Sequence, residues 1–253
     1  MKNKLYFYEK NSIEILYGTS NHSFPVHSHE SFCVGIVLDG LVEFEINNQK
    51  KLLGKSMMFI IPSNNSVKIT CTSKYNYITV CIKNNLRESF KNLDFNSYYI
   101  QLENNYIFTS LCKKFKTDNN SNDFVSFIHK LISPVINKNK ITKNTDKEDI
   151  ITNICEYINE HAEEKFDLEK LSNEFYISKY HLIRIFKNKM GITPKQYHMQ
   201  SKLRLLKAKI INDKSEVSVA MDLNMSDVSH MCKIFKKYMG ISIHNYKTNY
   251  ICK

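Results

Sequence analysis

The side chains whose types and spacing could do chemistry form a cationic set and an imidazole pair. Between Glu174 and Asp213 the chain carries Lys179, Arg184, Lys187, Lys189, Lys195, Lys202, Arg204, Lys207 and Lys209 and no carboxylate. After Asp227 come Lys233, Lys236, Lys237, Lys247 and Lys253, again with no acid among them. Solvated helix faces usually mix signs so that i,i+4 pairs support the helix, so blocks of one sign fit a surface that tracks phosphates. The imidazoles are His27 and His29. Residues two apart on a strand project from one face, which is what a His-x-His metal site requires.

The wider composition agrees with an anionic partner. The formal net charge is +11, and nucleic acid is the first candidate for a chain so basic. The seven cysteines are scattered with no C-x-x-C pair, which argues for reduced thiols and against disulfides or a zinc knuckle. Met1 to Lys10 is basic but is followed by no apolar stretch of signal-peptide length, and no window nears the roughly 20 apolar residues of a membrane span. A soluble, cytoplasmic protein with no membrane partner is expected. At 253 residues, two domains are expected, each burying its own core.

The elements that must position the cations are written twice. A shift of 49 positions aligns His181 to Ile192 with His230 to Ile241, matching Ile185/Ile234, Phe186/Phe235, Lys187/Lys236, Met190/Met239 and Gly191/Gly240, with Tyr197/Tyr246 beyond. Each copy reads as helix, tight turn, helix. In the first, Asp167 caps a helix through Leu168, Leu171 and Phe175, Tyr176-Ile177 interrupts it, and Ser178 caps the next. Leu182, Ile185, Phe186 and Met190 form the apolar stripe of that second helix, leaving Lys179, Tyr180, Ile183, Arg184 and Lys187 on its other faces. Gly191 ends it in the left-handed conformation.

In the second copy Ser215 caps a helix through Val219, Ala220 and Leu223, Asn224 takes a positive φ, and Ser226-Asp227 opens the next helix. Met231, Ile234, Phe235 and Tyr238 form its stripe, with Ser229, Cys232 and Lys233 outward. Thr193-Pro194 starts a helix expected to reach about Ile211, roughly 27 Å long at ~1.5 Å per residue. Such a rod can hold two major-groove helices about one DNA turn apart. Thr145-x-x-Glu148 is a capping box ahead of Ile150, Ile151, Ile154, Tyr157 and Ile158, the first of about seven helices.

These residues, together with Leu168-Glu-Lys-Leu-Ser, Ser178-x-x-x-Leu182-x-Arg184-x-Phe186-Lys187 and Gly191-Ile-Thr-Pro194, resemble the AraC/XylS family of transcription regulators over about a hundred residues. The resemblance implies base reading by Tyr180, Ile183 and Arg184 in the first unit and by Ser229, Cys232 and Lys233 in the second. It implies phosphate contacts from Lys179, His181, Lys187, Lys236 and Lys237. The second unit departs from the family at Asn224-Met225, where Gly-Phe is usual, at Ser242-Ile243 in place of Ser-Pro, and at Lys247 in place of Arg. Lysine lacks the rigid fork with which arginine reads guanine.

From Ile13 to Ile82 the texture is of short apolar runs: Val34 to Leu38, Val42 to Ile46, Met57 to Ile61, Val67 to Cys71 and Tyr77 to Ile82. Asp39-Gly40 reads as a tight hairpin, and the even spacing implies a sandwich or barrel. Pro25-Val-His27-Ser-His29-Glu30, Gly40, Gly54 and Pro62 resemble the cupin-like sensor half of many such regulators. The later histidine of metal-binding cupins is absent near Val67, so no metal and no cofactor is expected. His27 and His29 are read instead as lining a mouth for a small organic effector. Residues 86–138 turn helical, with Leu111, Phe115, Phe124, Phe127, Ile128, Leu131 and Ile132 apolar around a polar loop from Thr117 to Asp123.

The expected organisation is α+β. A cupin-like sensor β-domain spans 1–85, a helical dimerisation or cover region 86–138, a linker 139–147, and an all-α domain with two helix-turn-helix units 148–253. The function it implies is sequence-specific binding of double-stranded DNA by a transcription activator, with RNA polymerase, an effector and a second copy as partners. Two alternatives stand beside it: a cupin-type metalloprotein with an appended DNA-binding module, and a regulator acting mainly through protein contacts. No nucleophile, carboxylate pair or glycine-rich phosphate loop offers enzyme chemistry.

Overall fold

Alternation, and its absence, sorts the strands. In β5 (Val42–Ile46) Val42, Phe44 and Ile46 are buried while Glu43 and Glu45 are half-buried, the pattern of a strand with one dry face. In β4 (Phe32–Asp39) every residue from Phe32 to Val37 is buried, because both of its faces meet apolar layers. The computed structural model describes residues 3–118, 120–137, 150–211, 215–225 and 227–252.

The remaining strands are β1 (Lys4–Lys10), β2 (Ile13–Ser20), β3 (Phe24–His29), β6 (Gln49–Leu53), β7 (Met57–Ile61), β8 (Asn65–Cys71), β9 (Tyr75–Ile82), β10 (Tyr99–Gln101) and β11 (Tyr250–Cys252). They form two sheets, ordered β10-β7-β4-β9-β2-β1-β11 and β3-β8-β5-β6. The expected sandwich or barrel therefore takes the form of two stacked sheets and not one closed barrel. Cys33, Val37 and Phe59 on one face of the larger sheet share a core with Val42, Phe44, Ile46 and Val67 of the smaller. Its other face, with Ile15, Val34, Ile36, Ile60, Val80 and Ile82, packs against α1 (Tyr106–Asp118) and α2 (Ser121–Ile132) through Phe108, Cys112, Phe115, Phe124 and Ile128. The two helices thus cover the sheet.

Several expectations need correction. β4 pairs with β7 and β9, and β5 with β6 and β8, so Asp39-Gly40 is not a hairpin turn within one ladder. It passes the chain from one sheet to the other. Residues 86–105 are not helical throughout, because β10 adds to the edge of the larger sheet beside β7. Three residues are too few for any periodicity to show. The polar loop from Thr117 to Asp123 shrinks, since α1 runs to Asp118 and α2 begins at Ser121, capped by the Asn120 side chain. Of the apolar positions in these helices, Phe127 is 37% exposed. The Thr145/Glu148 capping box and the linker 139–147 lie outside the described residues.

The helices that follow are α3 (Ile150–Glu160), α4 (Leu168–Glu174), α5 (Lys179–Met190), α6 (Pro194–Ile211), α7 (Glu216–Asp222), α8 (Val228–Met239) and α9 (Ile243–Asn249), seven among the described residues. By contacts the chain divides into one unit of Met1–Phe24, His29–Lys143 and Asn249–Lys253 and another of Pro25–Ser28 and Asn144–Thr248. In the second unit α6 is buried on several sides, through Tyr197, Gln200, Leu203, Leu206 and Ile210. No helix among the described residues is long and apolar enough to cross a membrane.

Gly40 sits at φ +82, and a Cβ there would collide with the Lys74 carbonyl oxygen. Gly40→Ala is expected to cost about 1–3 kcal/mol, read as an earlier urea midpoint by tyrosine fluorescence. An unchanged midpoint would show that the turn relaxes without loss.

Candidate nucleic-acid interface

Each unit opens with a capped helix and a matching turn. Asp167 Oδ1 accepts from the Glu169 and Lys170 amides at 2.8 and 3.1 Å, and Ser215 Oγ accepts from the Ser218 amide at 3.1 Å. At the turn, the Tyr176 and Ile177 amides donate to the Asn173 and Ser172 carbonyls, as those of Asn224 and Met225 do to Met221 and Ala220. Both are Schellman closures, with Tyr176 at φ 53 and Asn224 at φ 48 in the left-handed position that usually takes glycine. Asparagine substitutes there at little cost, which is why the second turn survives without the family's glycine.

The next helices, α5 and α8, start on Ser178 and Asp227, whose side chains accept from the His181 and His230 amides at 3.2 and 2.6 Å. Both end on left-handed glycines, Gly191 at φ 67 and Gly240 at φ 70. Both are seated by one aromatic pair: Phe186 meets Tyr197 at 5.5 Å and 74°, and Phe235 meets Tyr246 at 5.4 Å and 73°. The 49-residue shift holds from these caps onward. The preceding helices are 48 apart, Asp167 against Ser215, so the second turn is one residue longer.

The outward faces carry most of the expected contacts. Tyr180 is 79% exposed. Arg184 is exposed and its Nη2 lies 3.2 Å from His181 Nδ1, while Ile183 is half-buried. Ser229, Lys187, Lys233 and Lys236 are exposed, and among the described residues no carboxylate lies within ion-pair distance of these lysines or Arg184. Lys237 lies 5.9 Å from the Tyr238 ring. Cys232 is half-buried, and its thiol faces Glu216 Oε2 at 3.6 Å. That carboxylate sits beside a position expected to read bases, and its negative charge would oppose phosphate there.

The run from Lys179 to Lys209 is not uniformly a phosphate surface. Lys202 is buried and donates to the Leu223 carbonyl at 2.5 Å, capping the end of α7, and desolvation holds its pKa below the usual lysine value. Arg204 bonds Asn159 Oδ1 at 3.0 Å and Ser201 Oγ at 2.7 Å and lies over the Tyr197 ring. Lys209 pairs with Glu163 at 2.9 Å and Lys179 with Glu169 at 3.0 Å. Carboxylates distant in the chain supply what the run itself lacks. Tyr176, which the sequence showed only as an interruption, is 96% exposed at a strained φ between the two helices of the first unit. A bulky ring at a turn is the signal that marks it.

The imidazole pair does not converge. His27 Nδ1 lies 2.8 Å from the Pro25 carbonyl, and desolvation lowers its pKa, so the ring is neutral near pH 7. His29 Nδ1 lies 3.3 Å from Cys33 Sγ, and the cluster of ligand-type atoms around His29 contains Cys33 and Cys81 but not His27.

A two-sheet unit and duplicated helix-turn-helix units in one chain define a class, and comparison with known proteins gives the same one. Residues 12–90 match the AraC-like ligand binding domain and residues 171–249 match the helix-turn-helix domain. In these two segments the chain is similar to AraC-type helix-turn-helix transcription regulators. It is 29% identical over 108 residues to the uncharacterized HTH-type transcriptional regulator YbfI of Bacillus subtilis, covering 43% of this chain and 39% of that protein. It is 30% identical over 95 residues to the probable transcriptional regulator LumQ of Photobacterium leiognathi, covering 37% of this chain and 38% of that one. The matches thus span well under half the length of these relatives. In fold it is similar to ToxT of Vibrio cholerae O395, with a TM-score of 0.66 at 15% identity over 98% of this chain and 97% of that one. ToxT of strain SCE256 with bound unsaturated fatty acid superposes with a TM-score of 0.64 at 13% identity, over 97% and 94% of the chains.

Arg184→Ala is expected to cost about 1–3 kcal/mol on the cognate site and relax preference at one base pair. Equal losses on cognate and random DNA would make Arg184 a phosphate contact. Lys236→Ala should weaken binding to every sequence and lower the slope of log K against log salt by about one; an unchanged slope removes it from the interface.

Proposed function

We propose that this chain is a sequence-specific, double-stranded-DNA-binding transcription regulator, an activator that works with RNA polymerase in the cytoplasm. The observation that carries this reading is the repetition of one recognition-helix seat, with the same caps, the same left-handed glycine and the same aromatic pair in both units. A seat kept twice presents two helices, and Tyr180, Ile183 and Arg184 on the first and Ser229, Cys232 and Lys233 on the second are the base-reading side chains. Lys179, His181, Lys187, Lys236 and Lys237 serve phosphates, Lys179 by exchanging Glu169 for the DNA backbone. The first unit is the stronger reader, since Glu216 lies beside Cys232 in the second.

In this reading residues 1–85 are the sensor, 86–138 its cover with a role in homodimerisation, 139–147 the linker and 148–253 the DNA-binding domain. The sensor takes a small organic effector near His27 and His29. ToxT's bound fatty acid makes a small amphipathic carboxylic acid the first class to test. The proposal assigns no catalytic residue.

Selection of bound fragments from the host genome, followed by footprinting, tests the function. The expected result is a protected site with two half-sites about 10 base pairs apart. Protection of no defined site would show instead a regulator that acts through protein contacts.

A further inference from the structure

The strand register of the larger sheet sets polar side chains in a row that the sequence spacing hides. Cys33 on β4 stands opposite Cys81 on β9, Cys81 opposite Glu14 on β2, and Glu14 opposite Glu9 on β1. Directly opposed residues in antiparallel strands project to the same face, so all four share one side of the sheet. At one end of this row Lys83 bridges Glu14 and Glu9, the latter at 2.8 Å, and keeps the buried Glu14 carboxylate paired. At the other end stand two thiols and an imidazole. Cys33 and Cys81 Sγ are 3.2 Å apart, and His29 Nδ1 is 3.3 Å from Cys33 Sγ. One ligand atom from each of the three lies within 4.8 Å of the others.

We infer that His29, Cys33 and Cys81 form a Cys2His site for a thiophilic d10 metal ion, zinc(II) or copper(I). With metal–sulfur bonds of about 2.3 Å and a metal–nitrogen bond of about 2.0–2.1 Å, a tetrahedral zinc site has edges of about 3.8 Å between sulfurs and about 3.6 Å from sulfur to nitrogen. The short edges here, 3.2 and 3.3 Å, open to those values by roughly half an ångström of side-chain rotation. Two soft thiolates and an imidazole select such ions over magnesium or calcium, whose ligands are oxygens. Both thiols release their protons to solvent on binding and no electron is transferred. Three protein ligands leave one position for water or a small exogenous ligand. Because Cys33 is fully buried and β4 and β9 are central strands, the ion would tie the middle of the sheet to the end of β3.

The inference concerns the first unit alone and does not rest on DNA binding, so its failure would leave the regulator reading intact. The reduced, metal-free full chain is titrated anaerobically with zinc(II) in one arm and with copper(I) against a chromogenic chelator in the other. One equivalent of one ion is expected to bind, and His29→Asn and Cys81→Ser should each weaken it at least about tenfold. Cobalt(II) in place of zinc should show thiolate charge-transfer absorption. A second readout needs no variant: alkylation of the native chain, mapped by mass, should slow at Cys81 on metal addition and stay unchanged at Cys71 and Cys232. Wild-type protein that binds neither ion more tightly than the variants, or alkylation unaltered at Cys81, would overturn the site.

Discussion

The C-terminal half depends on a single packing constraint, the seating of a recognition helix by an aromatic edge. Tyr197 of α6 stands near-perpendicular to Phe186 of α5, and Tyr246 of α9 does the same to Phe235 of α8. An edge-to-face pair fixes rotation about the helix axis as well as distance, because its favourable geometry is directional. With Leu182, Phe186 and Met190 held in the core, the opposite face of α5 has no freedom to choose what it presents. Side-chain caps at the start and left-handed glycine at the end keep the helix from fraying or sliding along that seat.

α6 is what makes two such seats into one instrument. It supplies Tyr197 to the first unit, and its Lys202 ammonium caps the end of α7 in the second. Placing that cation inside the bundle is favourable because it meets the carbonyls left open at a helix terminus, where the macrodipole is negative. Arg204, stacked on Tyr197 and bonded to Asn159, ties α3 to the same rod. Part of the positive charge that reads as DNA-seeking is thus internal structure.

The larger sheet of the N-terminal half has two occupied faces, which explains why β4 is apolar at six successive positions and why such a run carries no alternation to read. One face is closed by α1 and α2 and the other by the smaller sheet. Polar side chains of this sheet come with partners where Glu14 meets Lys83 and where Cys33 meets Cys81 and His29. The helices from Asp167 to Tyr246 were legible because capping and 3.6-residue periodicity are local codes. β10, with three residues, had no period to show, and the passage of the chain between sheets at Gly40 is a matter of strand pairing.

What the sequence by itself determined is the duplicated helix-turn-helix plan, its caps, the likeness to AraC-type regulators, and which side chains of α5 and α8 leave the core, all properties set within a few turns of chain. Tertiary structure alone decided which cations are paired, because Glu169 and Glu163 reach Lys179 and Lys209 from other segments, and it set Glu216 beside the Cys232 thiol. It also decided that Cys33 and Cys81 face one another across 48 residues, because strand register is fixed by the whole sheet and by no short stretch of it.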